Sequence, residues 1–346
     1  MTAKGATVAL GLGAVFLAAF AATQVAQRPT QTVGWTEMGE GPGGAAPAPA
    51  SVGDLQAQIH EIQRQLPGAP ALALARLEVP GAAEFCGHPL PLDRPEVREA
   101  LAYELLLTAG RPMMPMLWMR RSPRVLPMIE EKLAAAGLPD DLKYVAMIES
   151  DLRETVRSPA GAEGLWQFMR GTARRYGLRV DRYLDQRRSP EVATDAAIAY
   201  LRDLEEEFGD WFLALAAYNS GEQTVRRALE DAGTDDYFSL YLPAETRRYV
   251  PRLVAAKIIT SSPEAYGLVR LAPYNNPRYR IVEVRVQRSR ADLRKLAAEH
   301  GLNYAALRLA NPQVRSSWLP RGVHRLRVPL ASRATGPGTA EDHGAP

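Results

Sequence analysis

From Phe85 to Gly267 apolar residues recur at helical spacing in one segment after another, and no sustained stretch alternates apolar with polar. That property argues against a sheet-based core and predicts a compact, mostly α domain. The helical segments are Arg94 to Ala109, Pro123 to Ala136, Asp140 to Asp151, Pro190 to Phe208, Trp211 to Tyr218, Gly221 to Ala232 and Pro251 to Thr260. In the second, Val125, Ile129 and Leu133 share one face and Gly137 is the stop. Pro251 suits a first helical turn, where a missing N–H is no loss. The chain has 346 residues, 46% of them apolar, enough for this domain, a smaller module and some unstructured sequence.

After Pro277 the texture changes. Val282, Val284 and Val286 alternate with Glu283, Arg285 and Gln287, a strand signal. Ser289 and Asp292 have capping-box spacing ahead of a helix carrying Leu293, Leu296 and Ala297, which stops at Gly301. Asn303 can cap a second helix, Tyr304 to Ala310, and Leu326 and Val328 then alternate with Arg325 and Arg327. The result is a β-α-α-β unit. Pro273 to Pro277 reads as its boundary, past which it should be removable without unfolding the helical domain.

At the other end, Lys4 precedes an apolar run from Ala6 to Ala22, with no charge until Arg28, and Ala19-Phe20-Ala21 fits a small-x-small cleavage site. The run is also about the roughly 20 residues of a membrane span, so an uncleaved anchor is the alternative. No cysteine directly follows it, which argues against a lipid anchor. The expected organisation is a signal peptide or membrane anchor (1–26) and a Pro/Gly/Ala-rich linker (27–84). The linker contains one short helix, with Leu55, Ile59, Ile62 and Leu66 at helical spacing. The helical domain (85–268), the β-α-α-β module (276–330) and a disordered tail (331–346) follow.

Composition narrows the chemistry. Cys86 is the only cysteine, so an intramolecular disulfide and a Cys-based zinc site are excluded. His60, His88, His300, His324 and His343 show no ligand spacing. No metal and no cofactor are expected. The formal charge is +3 and the basic residues are nearly all Arg. Such a surface suits an anionic polymer, and the absence of an aromatic-basic pattern argues against nucleic acid.

Glu149 is the residue with most chemical interest. Leu142, Val145 and Ala146 stand seven, four and three residues before it, which places it on the apolar face of its helix, near the C-terminal end. Burial and the negative end of the helix dipole both disfavour its charged form, so it should hold a proton near neutral pH, as a general acid must. The structural alternative is a buried Glu paired with an Arg.

Three later segments add to it. Ser158-Pro-Ala-Gly161-Ala-Glu-Gly164-Leu-Trp166-Gln167 has glycines for close backbone approach, with Trp166 as a stacking face and Gln167 as an amide for sugars. Ala216-Ala-Tyr218-Asn219-Ser220-Gly221 sits at a helix–helix corner, where Ser220 and Gln223 have capping-box spacing that would hold Asn219 at the turn. Glu245-Thr246-Arg-Arg-Tyr249-Val-Pro251 leads into the last helix.

In this order the four segments resemble the lysozyme-like soluble-lytic-transglycosylase domain of glycoside hydrolase family 23. The resemblance runs from about Phe85 to Gly267 and includes Pro127-Met-Ile-Glu130 and Gly137-Leu-Pro-Asp-Asp-Leu142. It implies a mainly α, lysozyme-like catalytic domain with extra N-terminal helices. It makes Glu149 the sole catalytic acid and base, and Ser158, Trp166, Gln167, Tyr218, Asn219 and Tyr249 substrate-binding. It implies cleavage of peptidoglycan glycan strands between N-acetylmuramic acid and N-acetylglucosamine with a 1,6-anhydro product. The departures, Arg170, Ser189 and Gln223, fall on none of these positions. The C-terminal unit resembles a LysM carbohydrate-binding module, with Asn311-Pro312 in the matching place. The implied location is the periplasm, soluble or anchored to the inner membrane through residues 6–22. Two rival readings remain: a hydrolytic lysozyme taking its second carboxylate from Asp151, Glu154 or Glu163, and a catalytically inactive wall-binding protein.

Overall fold

A computed structural model of the chain describes residues 78–274 and 278–330. The apolar run Ala6 to Ala22, the short helical stretch ending at Leu66 and the tail from Ala331 lie outside them. Among the described residues no helix is long and apolar enough to cross a membrane.

The expected mainly α architecture is the observed one. A small hairpin, β1 (Glu84–Phe85) with β2 (His88–Pro89), opens the domain. Helix α1 (Pro95–Ala109) follows, then α2 (Met113–Ala135). The sequence places the start of α2 at Pro123, yet the helix runs through Pro123 and Pro127. Pro123 brings no N–H to the Met119 carbonyl; Ser122 Oγ donates to that carbonyl at 3.0 Å instead. Val125, Ile129 and Leu133 are buried, as their spacing predicts.

A 3-10 turn (Asp140–Leu142) leads into α3 (Lys143–Ser150), where Leu142, Val145 and Ala146 are fully buried. Then come α4 (Arg170–Arg175), which the sequence reading lacks, α5 (Pro190–Phe208), α6 (Trp211–Ser220), α7 (Glu222–Ala232), α8 (Ala244–Arg247) and α9 (Tyr249–Ser261). The residues of α6 from Trp211 to Ala217 are all buried, so it needs neighbours on every side and finds them in α5, α7 and α9. Burial of each large side chain there contributes about 1.5–3 kcal/mol. The expected Ser220–Gln223 capping box does not form. Gly221 is the N-cap of α7 at φ 87°, and Ser220 Oγ donates back to the Ala216 carbonyl at 2.9 Å. The chain reverses on the freedom of a glycine, which removes the need for a side-chain cap.

The C-terminal unit has the expected β-α-α-β order. Strand β3 (Tyr279–Asp292) pairs antiparallel with β4 (Trp318–Pro329), around α10 (Leu293–Glu299) and α11 (Tyr304–Ala310). Asp292 caps α10 itself, accepting from Arg294 N, while Ser289 lies within β3, so the expected box is absent here too. Asn303 caps α11 as expected, accepting from Ala306 N at 2.8 Å. Asn311 is fully buried; its amide donates to the carbonyls of Leu307 and Arg327 and accepts from Arg327 N. It ties the end of α11 to β4. The unit is not a pendant beyond a boundary. Leu184, from the helical domain, sits in its apolar cluster with Val314 and Leu293, and removal would bare that side chain.

Candidate active site

Glu149 lies in the last turn of α3, just before two left-handed residues, Asp151 and Leu152. The Tyr249 hydroxyl, from the first residue of α9, donates to Glu149 Oε1 at 2.6 Å. Burial, the largest influence, pushes the Glu149 carboxyl up to about 7; the Tyr249 hydrogen bond and nearby Arg252 oppose this, and the charge of Glu245 adds to it. The residue keeps partial solvent exposure although protein surrounds its carboxyl. The buried Glu–Arg pair weighed for Glu149 occurs elsewhere. Glu104, 2% exposed, takes Arg248 at 2.5 Å and Arg252 at 3.5 Å. Among the described residues no salt bridge reaches Glu149, so only the Tyr249 hydrogen bond and the more distant charge of Arg252 favour its ionised form.

The segments singled out in the sequence meet around it. Tyr218, in the last part of α6, donates its hydroxyl to the Trp166 carbonyl at 2.7 Å. Burial chiefly, then the charge of Glu149, raises that phenol well above its ordinary range. The second effect puts Tyr218 within electrostatic reach of Glu149. Asn219 Oδ1 accepts from Thr246 Oγ1 at 2.8 Å, which joins the α6 corner to α8. Gln167, in a left-handed conformation at φ 48°, donates its amide to the carbonyls of Gly164 (2.7 Å) and Val156 (3.2 Å). It remains partly exposed. Ser158 is 4% exposed and both its N–H and its Oγ engage Ala162, so it closes the loop from within.

Trp166 requires correction. It has no exposed surface, and its indole N–H donates to Thr194 Oγ1 at 2.9 Å. A ring packed into the core cannot stack on a sugar; its contribution at the site is its carbonyl, which receives Tyr218.

Behind this loop lies a charge network that sequence reading did not find. Arg187, 6% exposed, donates Nη1 to the carbonyls of both Gly161 and Phe168 at 2.9 Å and holds Asp185 through two bonds. Glu163, 1% exposed, takes Arg188 at 2.8 Å. Gly164, at φ 82°, runs so close to this strap that an added Cβ would stand 1.8 Å from the Arg187 carbonyl oxygen. The glycine is needed for that approach. These contacts are long-range, and only the Gly-Ala-Glu-Gly spacing hinted at them.

The three carboxylates considered as partners for Glu149 are engaged otherwise. Asp151 accepts from the Trp118 indole at 2.8 Å, Glu154 accepts from Arg327 at 3.0 Å, and Glu163 belongs to the network just described. The carboxylate that acts on Glu149 is Glu245, to which the sequence reading gave no role.

The sequence that builds this site has counterparts among known proteins. A family model described as the transglycosylase SLT domain matches residues 127–240. The chain is 35% identical over 188 residues to membrane-bound lytic murein transglycosylase D of Escherichia coli (strain K12). That match covers 53% of this chain and 41% of the relative, so the chain spans less than half the length of that relative. Peptidoglycan transglycosylase gp16 of Escherichia phage T7 is 37% identical over 133 residues, covering 37% of this chain and 10% of that protein. Among solved structures, the lytic transglycosylase Slt of Pseudomonas aeruginosa is similar at 26% identity and a TM-score of 0.34, covering 43% of this chain and 25% of that one. Glu149, Ser158, Gln167, Tyr218 and Asn219 fall inside the matched segment and Tyr249 nine residues beyond it, so most of the site lies in the stretch that is similar to the transglycosylase SLT domain.

Proposed function

We propose that this chain is a peptidoglycan lytic transglycosylase. It cleaves the β-1,4 bond between N-acetylmuramic acid and N-acetylglucosamine and leaves a 1,6-anhydromuramic end. The observation that carries the reading is the state of Glu149: a carboxyl raised to about 7, oriented by a tyrosine hydroxyl and, among the described residues, joined to no cation by a salt bridge. Protonated Glu149 donates to the bridging oxygen as the C1–O bond breaks. The cationic centre at C1 leans on the substrate's own N-acetyl group. The Glu149 carboxylate then takes the proton of the muramic C6 hydroxyl, whose oxygen closes onto C1. The acid is restored and no water is consumed. A pKa near the working pH serves both halves of this cycle. Tyr249 keeps Oε1 in place, Asn219, Tyr218 and Gln167 shape the groove beside it, and Ser158 holds the loop that carries Gln167.

The names of the two enzyme relatives above, murein and peptidoglycan transglycosylases, support the same substrate. The chain acts in the periplasm, exported by residues 6–22 as a cleaved signal or an anchor, and its β-α-α-β module, LysM-like in order, adds glycan contact. Mass spectrometry of muropeptides released by the purified chain tests the chemistry. The products should be lighter by one water than those of a lysozyme. Reducing-end muramic acid as main product, with activity lost on substitution of Asp151, Glu154 or Glu163, would replace this reading with hydrolysis. A blank zymogram on purified wall would leave a binding protein.

A further inference from the structure

Among the described residues the β-α-α-β unit is bonded to the helical domain at two places, and each leads on to the loops around Glu149. At the first, Leu184 and Val314 form an antiparallel bridge, with Asp185 N donating to the Gln313 carbonyl and Arg315 N to the Tyr183 carbonyl, both at 2.8 Å. The Asp185 carboxylate then grips Arg187, which holds the carbonyls of Gly161 and Phe168, one on each side of Gln167's turn. At the second, Arg327 of β4, its side chain 11% exposed, donates Nη1 to Glu154 at 3.0 Å and Nε to Glu191 at 2.7 Å. Glu154 lies on the loop that leaves Glu149. Two residues further, the Val156 carbonyl receives both Gly164 N at 2.9 Å and the Gln167 amide. Buried Asn311 fixes the backbone of Arg327 on both its N–H and its carbonyl.

We propose that the C-terminal unit is a positioning element of the active site, with Arg327 as its positioning residue: through Glu154 it sets the loop that joins Glu149 to Gln167. This rests on the reading of Glu149 as the catalytic acid, and it differs from a tether. A tether raises the local concentration of enzyme on insoluble wall; a positioning element changes turnover on any glycan, including one too small to reach a second site. A largely buried guanidinium between two partly exposed carboxylates suits the task, because its loss leaves both carboxylates without their cation.

The experiment uses the full chain and a short soluble glycan of alternating N-acetylglucosamine and N-acetylmuramic acid, with the variants Arg327→Ala, Arg327→Lys, Glu154→Gln and the double variant Arg327→Ala/Glu154→Gln. Arg327→Ala should lower kcat about 10- to 100-fold with KM nearly unchanged, the scale on which a displaced group costs rate. Arg327→Lys should recover part of the loss, and the double variant should be no worse than Arg327→Ala alone. Amide hydrogen exchange over residues 151–168 should quicken in Arg327→Ala. If its kcat on the soluble glycan stays within about twofold of wild type while release from insoluble wall falls, the unit is a tether and the proposal is overturned. Should Arg327→Ala fail to fold, Glu154→Gln decides, since it leaves Arg327 paired with Glu191; unchanged kcat there overturns the proposal equally. A wild type that cleaves no glycan would count against the reading of Glu149. In that event the exchange measurement still decides the positioning claim: unaltered exchange over 151–168 refutes it.

Discussion

Two buried acids of this molecule are held in opposite ways. Glu163 is almost entirely enclosed and lies within reach of three guanidinium groups, those of Arg188, Arg187 and Arg157. Glu149 is partly open to solvent and has a phenol where Glu163 has arginines. Depth is therefore not what suits a carboxyl to acid catalysis here. Glu163 has its charge matched and serves as a structural clasp. Glu149 has desolvation without a matching cation, and so holds a proton it can give away.

The comparison is tested most severely by Glu149→Gln, which keeps the shape and the acceptor for Tyr249 but removes the transferable proton. Glycan cleavage should fall by at least ~10,000-fold, the top of the range for a general acid/base, because one group serves both steps. Zymography and muropeptide release measure this; residual activity above a few per cent would transfer the role elsewhere. Glu163→Ala should act on stability instead. Stripping a buried carboxylate from its arginines should cost about 3–5 kcal/mol, read as a lowered denaturation midpoint. An unaltered midpoint would mean the clasp is ornamental.

Next in size is a pair of opposed pH shifts. On the proposed mechanism cleavage needs protonated Glu149, so it should fail as pH rises through about 7. Tyr249→Phe removes a bond that favours the charged form, so the alkaline limb should move to higher pH, with a reduced maximum. Glu245→Gln removes a repelling charge, and the limb should move to lower pH. Shifts of the same sign in pH–rate profiles would break the electrostatic account of the site. The smallest effect is on folding. The native Glu149 pKa lies above its unfolded value near 4.5. Its contribution is therefore full below about 4.5 and lost as pH rises through 7. Glu149→Gln should match wild type in stability at pH 4.5 and exceed it at pH 8 by up to about 3 kcal/mol. Chemical denaturation at the two pH values checks this, and equal midpoints at both would contradict it.

Much of this was legible in local spacing. The faces of α2 and α3, the bounds of α5 and the cap at Asn303 follow from periodicity and from residue types that satisfy orphan N–H groups. Glu149 was placed by the same logic, since a carboxyl seven, four and three residues after buried apolar positions must share their face. What escaped depends on partners distant in sequence. Pro123 looks like a helix start unless one knows that Ser122 relieves the carbonyl it abandons. Trp166 beside Gln167 looks like a sugar platform unless one sees Thr194 receiving its N–H. Arg187 and Arg327 carry no local mark at all; their meaning lies in the carbonyls and carboxylates they reach across the fold.

Tyr249 has a last consequence, for where a working enzyme begins and ends. The segment shared with the SLT family closes at residue 240, before the phenol that touches Glu149. The helix that presents this phenol, α9, rests on α1, which precedes the shared segment. A gene fragment trimmed to residues 127–240 would encode the acid without its hydroxyl partner and without the brace for that partner. The smallest piece fit to be grafted or expressed alone therefore reaches at least from Pro95 to Ser261, and the family model marks out only its middle.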